Sequence, residues 1–316
     1  MNSNLMFSRR SIILGLILGL LIAGGSVIST TTTKKTNTNV LSGREGVNGP
    51  VLVVKIDDTT QAHPQVGLED ADIVYIEQVE GGLTRLAAVF SSTIPQRVGP
   101  VRSARISDIE ILSQFGRVAF AYSGAQRRLL DVIAQANLQD LGAQRQSPTI
   151  YTTDPNRIPP YAMVLRADLL MEKIIEKNYV IDSAKSIGFE FGDLPEGGAP
   201  TDSAVMHWPA ARYMATWSDE QSRWLLSHNN SLDVAESGVV LGPTTLVIQM
   251  VSITPSEYKD KVGGVTPFSQ TVGTGKAYVL RDGQRFVTTW SRASSEVGTT
   301  FTLPDGTVMQ FDPGQV

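Results

Sequence analysis

The chain of 316 residues carries 27 Lys and Arg against 31 Asp and Glu, a formal net charge of −4, and it has no cysteine. The mildly acidic balance argues against general nucleic-acid binding. Without a thiol, the sequence offers no disulfide, no thiolate metal site, no cysteine nucleophile and no cysteine for lipid attachment.

Arg9 and Arg10 precede an almost unbroken apolar run over residues 12–28. At a helical rise that run spans roughly 26 Å, a little under a hydrocarbon core of about 30 Å. It therefore reads as either a retained signal-anchor or a signal peptide cleaved near Ala23 and Gly25, whose small side chains suit a signal peptidase. The arginines favour a cytoplasmic N-terminus, although Lys34 and Lys35 blunt the asymmetry. Both readings export the rest of the chain. The expected location is the cell membrane, single-pass with an extracytoplasmic body, or the exterior if the segment is removed.

Residues 29–49, rich in Thr, Ser, Asn, Gly and Lys, read as a polar tether because they bring too little apolar surface to offset the entropy of ordering. At Pro50 the pattern changes. Residues 51–56 form a β-branched run typical of a buried strand, and residues 72–77 and 84–90 read as two more strands around a Gly81-Gly82 turn. A helix is predicted over 103–115, with Ile106, Ile109 and Leu112 on one face and Gly116 as its stop. A strand over 118–122 and helices over 125–136 and 167–177 come next. Alternating strands and helices predict an α/β domain over 50–190.

Residues 191–203 carry the Gly and Pro breakers of a linker. Beyond them no helical pattern recurs. Short runs at 204–208, 213–217, 223–228, 245–253, 276–281, 286–290 and 308–311, with turns at Asp282-Gly283 and Asp305-Gly306, predict a mainly-β domain over 204–316. Its four tryptophans, Trp208, Trp217, Trp224 and Trp290, either pack in its core or line a groove.

Four segments in order, Ala62-His63-Pro64-Gln65-Val66-Gly67-Leu68, Ala71-Asp72-Ile73-Val74-Tyr75, Glu80-Gly81-Gly82-Leu83-Thr84-Arg85 and Val98-Gly99-Pro100-Val101-Arg102-Ser103-Ala104-Arg105, resemble the YerB-like lipoprotein family. The second half is similar in 275–280, Asp282-Gly283, the Trp290 strand and Asp312-Pro313-Gly314. The resemblance implies a two-domain envelope protein of unassigned biochemical function. Three departures stand out. Leu20-Leu21-Ile22-Ala23-Gly24-Gly25 resembles the approach to a lipid-attachment motif without its cysteine, which implies that the apolar helix replaces the lipid. Pro160-Tyr161-Ala162 stands where relatives carry a Pro-His-Asn-like segment. The Pro-Gly that in relatives precedes a final strand falls just before Val316, so one more strand is expected beyond the given sequence.

The richest local feature is the stretch 98–105. Ser103 reads as a helix N-cap, and Arg102 and Arg105 flank a helix start whose dipole disfavours cations, so both need a negative partner. Arg85, Arg102, Ser103 and Arg105 are therefore the candidate site for a phosphate-bearing or other anionic group. The competing reading is internal pairing with the acidic candidates Asp57, Glu77 and Glu80 or with Asp108. His63, His207 and His228 show no paired metal-ligand spacing, no cofactor signature appears, and Gly273-Thr274-Gly275-Lys276 lacks the rest of a phosphate loop. The expected function is a binding or scaffolding protein whose partners are the membrane, through the N-terminal helix, and an envelope polymer or envelope protein. The alternative is an enzyme on an anionic envelope polymer or lipid-linked precursor, with Arg85, Arg102 and Arg105 holding phosphate and Glu80 or Asp57 as base or metal ligand.

Overall fold

The computed structural model describes residues 37–316; the apolar segment over 1–28, and the anchor or signal reading that rests on it, lies outside them. No helix among the described residues is long and apolar enough to cross a membrane. The described part is mostly strands with three α-helices.

The first half is built on strand β1 (Leu52–Asp57), flanked by β3 (Thr84–Phe90), with β2 (Ile73–Gln78) outside it. On the other side of β1 lie Val118–Ala121 and then Leu138–Asp140. The β2–β3 and β3–β1 pairs are antiparallel, whereas the two later strands join in parallel. Helix α1 (Ile106–Ser113) precedes the first of these parallel strands, and α2 (Arg127–Gln135) crosses between them. Helix α3 (Ala167–Glu176) comes last.

Both faces of this sheet are covered, which is why β1 is buried at every position and reads as a continuous run rather than an alternation. Val51, Val53 and Phe120 pack with Leu112 of α1 and Leu129 of α2, while Leu52, Val54 and Ile56 pack with Leu170 and Ile174 of α3. The expected β2–β3 hairpin is present in register from Ile73↔Val89 to Gln78↔Thr84. Its connection places Gly81 and Gly82 at φ 68° and 74°, a region that only glycine enters without strain.

No α-helix occurs after α3 among the described residues. The run expected as one strand over 245–253 divides, because Leu246–Gln249 pairs with Gly273–Arg281 while Ser252–Lys259 pairs with Val265–Gln270. The last of these strands has no counterpart among the predicted elements: Pro267 interrupts its pattern, and proline is tolerated there in an isolated two-stranded ribbon. Within the stretch expected as a linker, Ala199–Pro200 pairs with the Gln284–Arg292 strand. Trp224 and Trp290 are core residues, 0% and 3% exposed. The two halves interlock. The Glu110 carboxylate of α1 accepts from the Thr271 and Val272 amides at 2.6 and 3.0 Å, and Val316 exchanges backbone hydrogen bonds with Asp72 and Val74 at the edge of β2.

The tether expected over 29–49 is corrected for its described part. Asn39, Leu41 and Ser42 are fully buried. Their polarity is matched rather than solvated: Asp72, itself without exposure, accepts from Ser42 Oγ (2.6 Å), Ser91 N (2.7 Å), Ser92 N (2.8 Å) and Ser92 Oγ (2.5 Å). A composition too polar for an apolar core thus orders itself on one buried carboxylate. Replacing Asp72 by Asn would turn an –NH2 donor toward some of these donors. Asp72→Asn is expected to cost on the order of 2–4 kcal/mol, the scale of losing charged hydrogen bonds in a buried site. Urea denaturation would show it as a lowered midpoint, and an unchanged midpoint would contradict this role.

Candidate functional site

Alternation along β1 puts Val53, Lys55 and Asp57 on the face covered by α1. The strand registers place Arg85 of β3 directly between Asp57 of β1 and Glu77 of β2. Arg85 pairs with neither. Glu77 is taken by the fully buried Lys55, whose Nζ also lies 2.8 Å from Asp108 Oδ1. Asp57 Oδ2 lies 2.7 Å from Arg102 Nε, and Glu80 Oε1 lies 2.7 Å from Arg105 Nε. The Arg85 guanidinium donates instead to the Ser103 carbonyl at 2.9 Å. Burial first, and then the like charges of Arg105 and Arg102, push its pKa down, with Glu80 and Asp57 acting in the opposite direction, the direction in which an arriving anion would also act.

The surrounding backbone holds these arginines in place. Asp57 N donates to Pro100 O, Arg102 N to Lys55 O, Ser123 N to Arg102 O and Ala104 N to Gly124 O, all at 2.8–3.0 Å. The stretch 100–104 is thereby threaded between the carboxyl ends of β1 and Val118–Ala121, two adjacent parallel strands. That end of a parallel sheet is where α/β folds collect ligand-binding groups. The Ser103 and Ser123 hydroxyls stand 3.3 Å apart there, and the Arg102 guanidinium lies 6.0 Å from the Tyr161 ring centre.

One expectation is corrected. Helix α1 begins at Ile106 with Arg105 as its N-cap, so Ser103 is not the cap. The dipole is met by Asp108, which accepts from the Arg105 amide at 2.6 Å, and the arginines consequently face carboxylates rather than an uncompensated helix end. Two of the candidate arginines make the internal pairs of the competing reading, Asp57 with Arg102 and Glu80 with Arg105, while Glu77 is held by Lys55, which was not a candidate.

A second cluster, which the sequence did not reveal, lies beside the first. Asp58 is next in the chain after Asp57 and turns toward the β half, where Tyr213 donates to its Oδ1 at 2.5 Å and Thr84 donates to its Oδ2. His63 Nε2 lies 3.5 Å from Asp58 Oδ1, and His63 Nδ1 lies 3.0 Å from Asp233 Oδ1. His228 stacks on His63 with ring centres 4.5 Å apart and planes within 8°. Two of the three histidines read as dispersed are therefore in contact, while His207 sits apart, opposite Arg212 on another strand. Burial opposes protonation of His63, but hydrogen bonds to Asp233 and Asp58 overcome it and raise the ring to about 9; burial lowers His228. Tyr213, His228 and Asp233 lie far along the chain from Asp58 and carry no local signal. Only the Asp57-Asp58 doublet at a strand end and the nearby His63 and Gln65 were visible in sequence.

Two family descriptions match the chain: "Protein of unknown function (DUF3048) N-terminal domain" over residues 36–180 and "Protein of unknown function (DUF3048) C-terminal domain" over residues 204–316. "Putative lipoprotein YerB" of Bacillus subtilis (strain 168) is 43% identical over 75 residues, which spans 24% of this chain and only 22% of that protein. A crystal structure of the YerB protein from Bacillus subtilis superposes with a TM-score of 0.75 at 19% identity, covering 88% of this chain and 94% of that one. The latter is a likeness of fold.

The Glu80–Arg105 pair has a definite pH signature. Burial opposes ionisation of Glu80, but the hydrogen bond and charge of Arg105, with the Thr266 hydroxyl, hold its pKa below the ordinary 4.5. A depressed carboxylate contributes stability above its unfolded pKa and loses it as pH falls through the folded value. The stability difference between wild type and Glu80→Gln should therefore be full at neutral pH and shrink below pH 4.5. Urea titrations of both proteins across that range check it, and a pH-independent difference would contradict it.

Proposed function

The chain belongs to the DUF3048 family of unknown function, and we propose that it acts as an extracytoplasmic envelope protein that binds a phosphate-bearing group through Arg85. Envelope location is supported by the name of its Bacillus subtilis relative, a putative lipoprotein, and by the basic and apolar start of the sequence. With no cysteine to carry a lipid, the hydrophobic segment would supply the tether.

Arg85 carries the binding proposal. Three arginines gather at the carboxyl end of the parallel strands, and two of them already hold a carboxylate, Arg102 with Asp57 and Arg105 with Glu80. Among the described residues Arg85 has a carbonyl partner and no carboxylate in salt-bridge contact. Lys55 holds two carboxylates, Glu77 and Asp108, so the four cations and four carboxylates balance in number while Arg85 is the cation with no carboxylate in direct contact. Its carbonyl partner Ser103 has its hydroxyl 3.3 Å from that of Ser123. A phosphate takes a guanidinium fork and hydroxyl donors together. The polymer or protein bearing the phosphate would extend from this edge.

Catalysis on the same anionic polymer is the weaker reading. A general base or hard-cation ligand needs an available carboxylate oxygen, and Asp57 and Glu80 are each committed to an arginine.

Calorimetric titration with pyrophosphate tests the proposal. Arg85→Ala should weaken binding by roughly tenfold to hundredfold, corresponding to about 1.5–3 kcal/mol for a charged hydrogen bond, with little change in melting temperature. Arg102→Ala should lower the melting temperature, because it strands the buried Asp57. Absence of pyrophosphate binding by the wild type, or equal binding by Arg85→Ala, would overturn the assignment.

A further inference from the structure

Besides the hydroxyls that Tyr213 and Thr84 donate to Asp58, the cluster around this carboxylate has the side-chain set of a metal site. One ligand atom from each of Asp58, His63 and His228 lies within 4.8 Å of the others. Asp58 and His228 are 2% and 4% exposed, and two buried atoms of the neighbourhood, His228 Nε2 and Gln65 Oε1, have no hydrogen-bond partner. The Gln65 amide lies against the same edge of His63, its nitrogen 3.1 Å from His63 Nε2; turned end for end, it would present its oxygen there.

The distances separate the two chemistries. His63 Nε2 is 3.5 Å from Asp58 Oδ1 and His228 Nε2 is 3.9 Å from Asp58 Oδ2, both too long for a good N–H···O bond. Ligands held tetrahedrally at bond lengths of about 2.1 Å stand about 3.4 Å from one another, close to the observed spacing. The contact between His63 Nδ1 and Asp233 Oδ1 at 3.0 Å supplies the carboxylate–imidazole arrangement that leaves Nε2 as the ligating atom. A divalent ion bound between His63 and Asp58 would take the place of a ring proton, and the buried Asp58 and Asp233 carboxylates would balance its two charges.

We infer that Asp58, His63 and His228 form a site for a first-row divalent transition metal ion, with the Gln65 amide as a further oxygen donor and Asp233 positioning His63. Two imidazoles with carboxylate and amide oxygens suit Zn2+ and its neighbours better than Ca2+ or Mg2+, which take oxygen ligands. The stacked rings must splay for both lone pairs to meet one ion. His63, whose side chain retains 17% exposure against 4% for His228, is the ring that would turn. Asp58 and His63 belong to the first half of the chain and His228 to the β half, so the ion would clip the two together.

The test uses the purified full chain, stripped with chelator and then equilibrated with micromolar Zn2+. One Zn2+ per chain should be retained, the melting temperature should rise, and Ca2+ should do neither. Co2+ in place of Zn2+ should give the intense visible bands of a low-coordinate nitrogen–oxygen site. His63→Gln should weaken Zn2+ binding by at least the roughly tenfold to hundredfold seen when even a supporting residue is lost, while His207→Gln, outside the cluster, should bind like wild type. Wild type that retains no Zn2+, or His63→Gln that binds as tightly as wild type, would overturn the inference. Both readings come from proteins with an unaltered Asp58, so neither depends on a core variant that might fail to fold.

Discussion

Two adjacent carboxylates leave the end of β1 in opposite directions, and because neither can stay buried unpaired, each fixes a different part of the molecule around itself. Asp57 lies on the α1 face and holds Arg102, which draws residues 100–104 between the ends of the parallel strands. Asp58 turns away and accepts hydroxyls from Thr84 and Tyr213, the second of which belongs to the β half. Stranding either carboxylate would cost several kcal/mol, on the order of 3–5 for a broken buried pair. The apolar layers set the overall packing, but these contacts select one arrangement of loop, helix and β half over others of similar hydrophobic burial.

The same logic explains why Arg85 stands apart. Lys55 lies on the α1 face of β1, where its Nζ reaches Glu77 and Asp108 together, and burial pushes its pKa down to about 8. That triad removes Glu77 from the reach of Arg85, and Arg102 removes Asp57. The cross-strand neighbours that would ordinarily neutralise Arg85 are both engaged elsewhere. The proposed phosphate site rests on this cation without a carboxylate in contact at the carboxyl end of the parallel strands, beside arginines that are each paired. The histidine cluster around Asp58 lies on the other side of the same strand end.

Much of the fold was legible because its signals are local. The β1 run, the β2–β3 hairpin with its glycine turn, the three helices to within a few residues and the strand-rich second half all arise from periodicity and turn chemistry. Family membership was likewise readable from four short segments. What failed depended on partners distant in sequence. Residues 37–49 looked like a tether because nothing local shows that Asp72 will receive Ser42. Ser103 looked like a cap because the nearer solution, Asp108 bonding back to the Arg105 amide, competes with it at the same helix start. The pairing of His63 with His228 is a product of how the β half docks on the end of β1, and no spacing rule within the chain anticipates it.

A double-mutant cycle on Asp58 and Tyr213 measures most directly whether the β1 doublet joins the two halves. Asp58→Asn, Tyr213→Phe and the combined variant would be compared with wild type by urea denaturation. The Tyr213 hydroxyl meets Asp58 Oδ1 at 2.5 Å with both groups buried, so the coupling energy is expected to lie at about 1–3 kcal/mol, the upper part of the range for residues in one buried polar network. Strictly additive effects of the two substitutions would contradict it, and would mean that the β half is held by its other contacts and not by the β1 doublet.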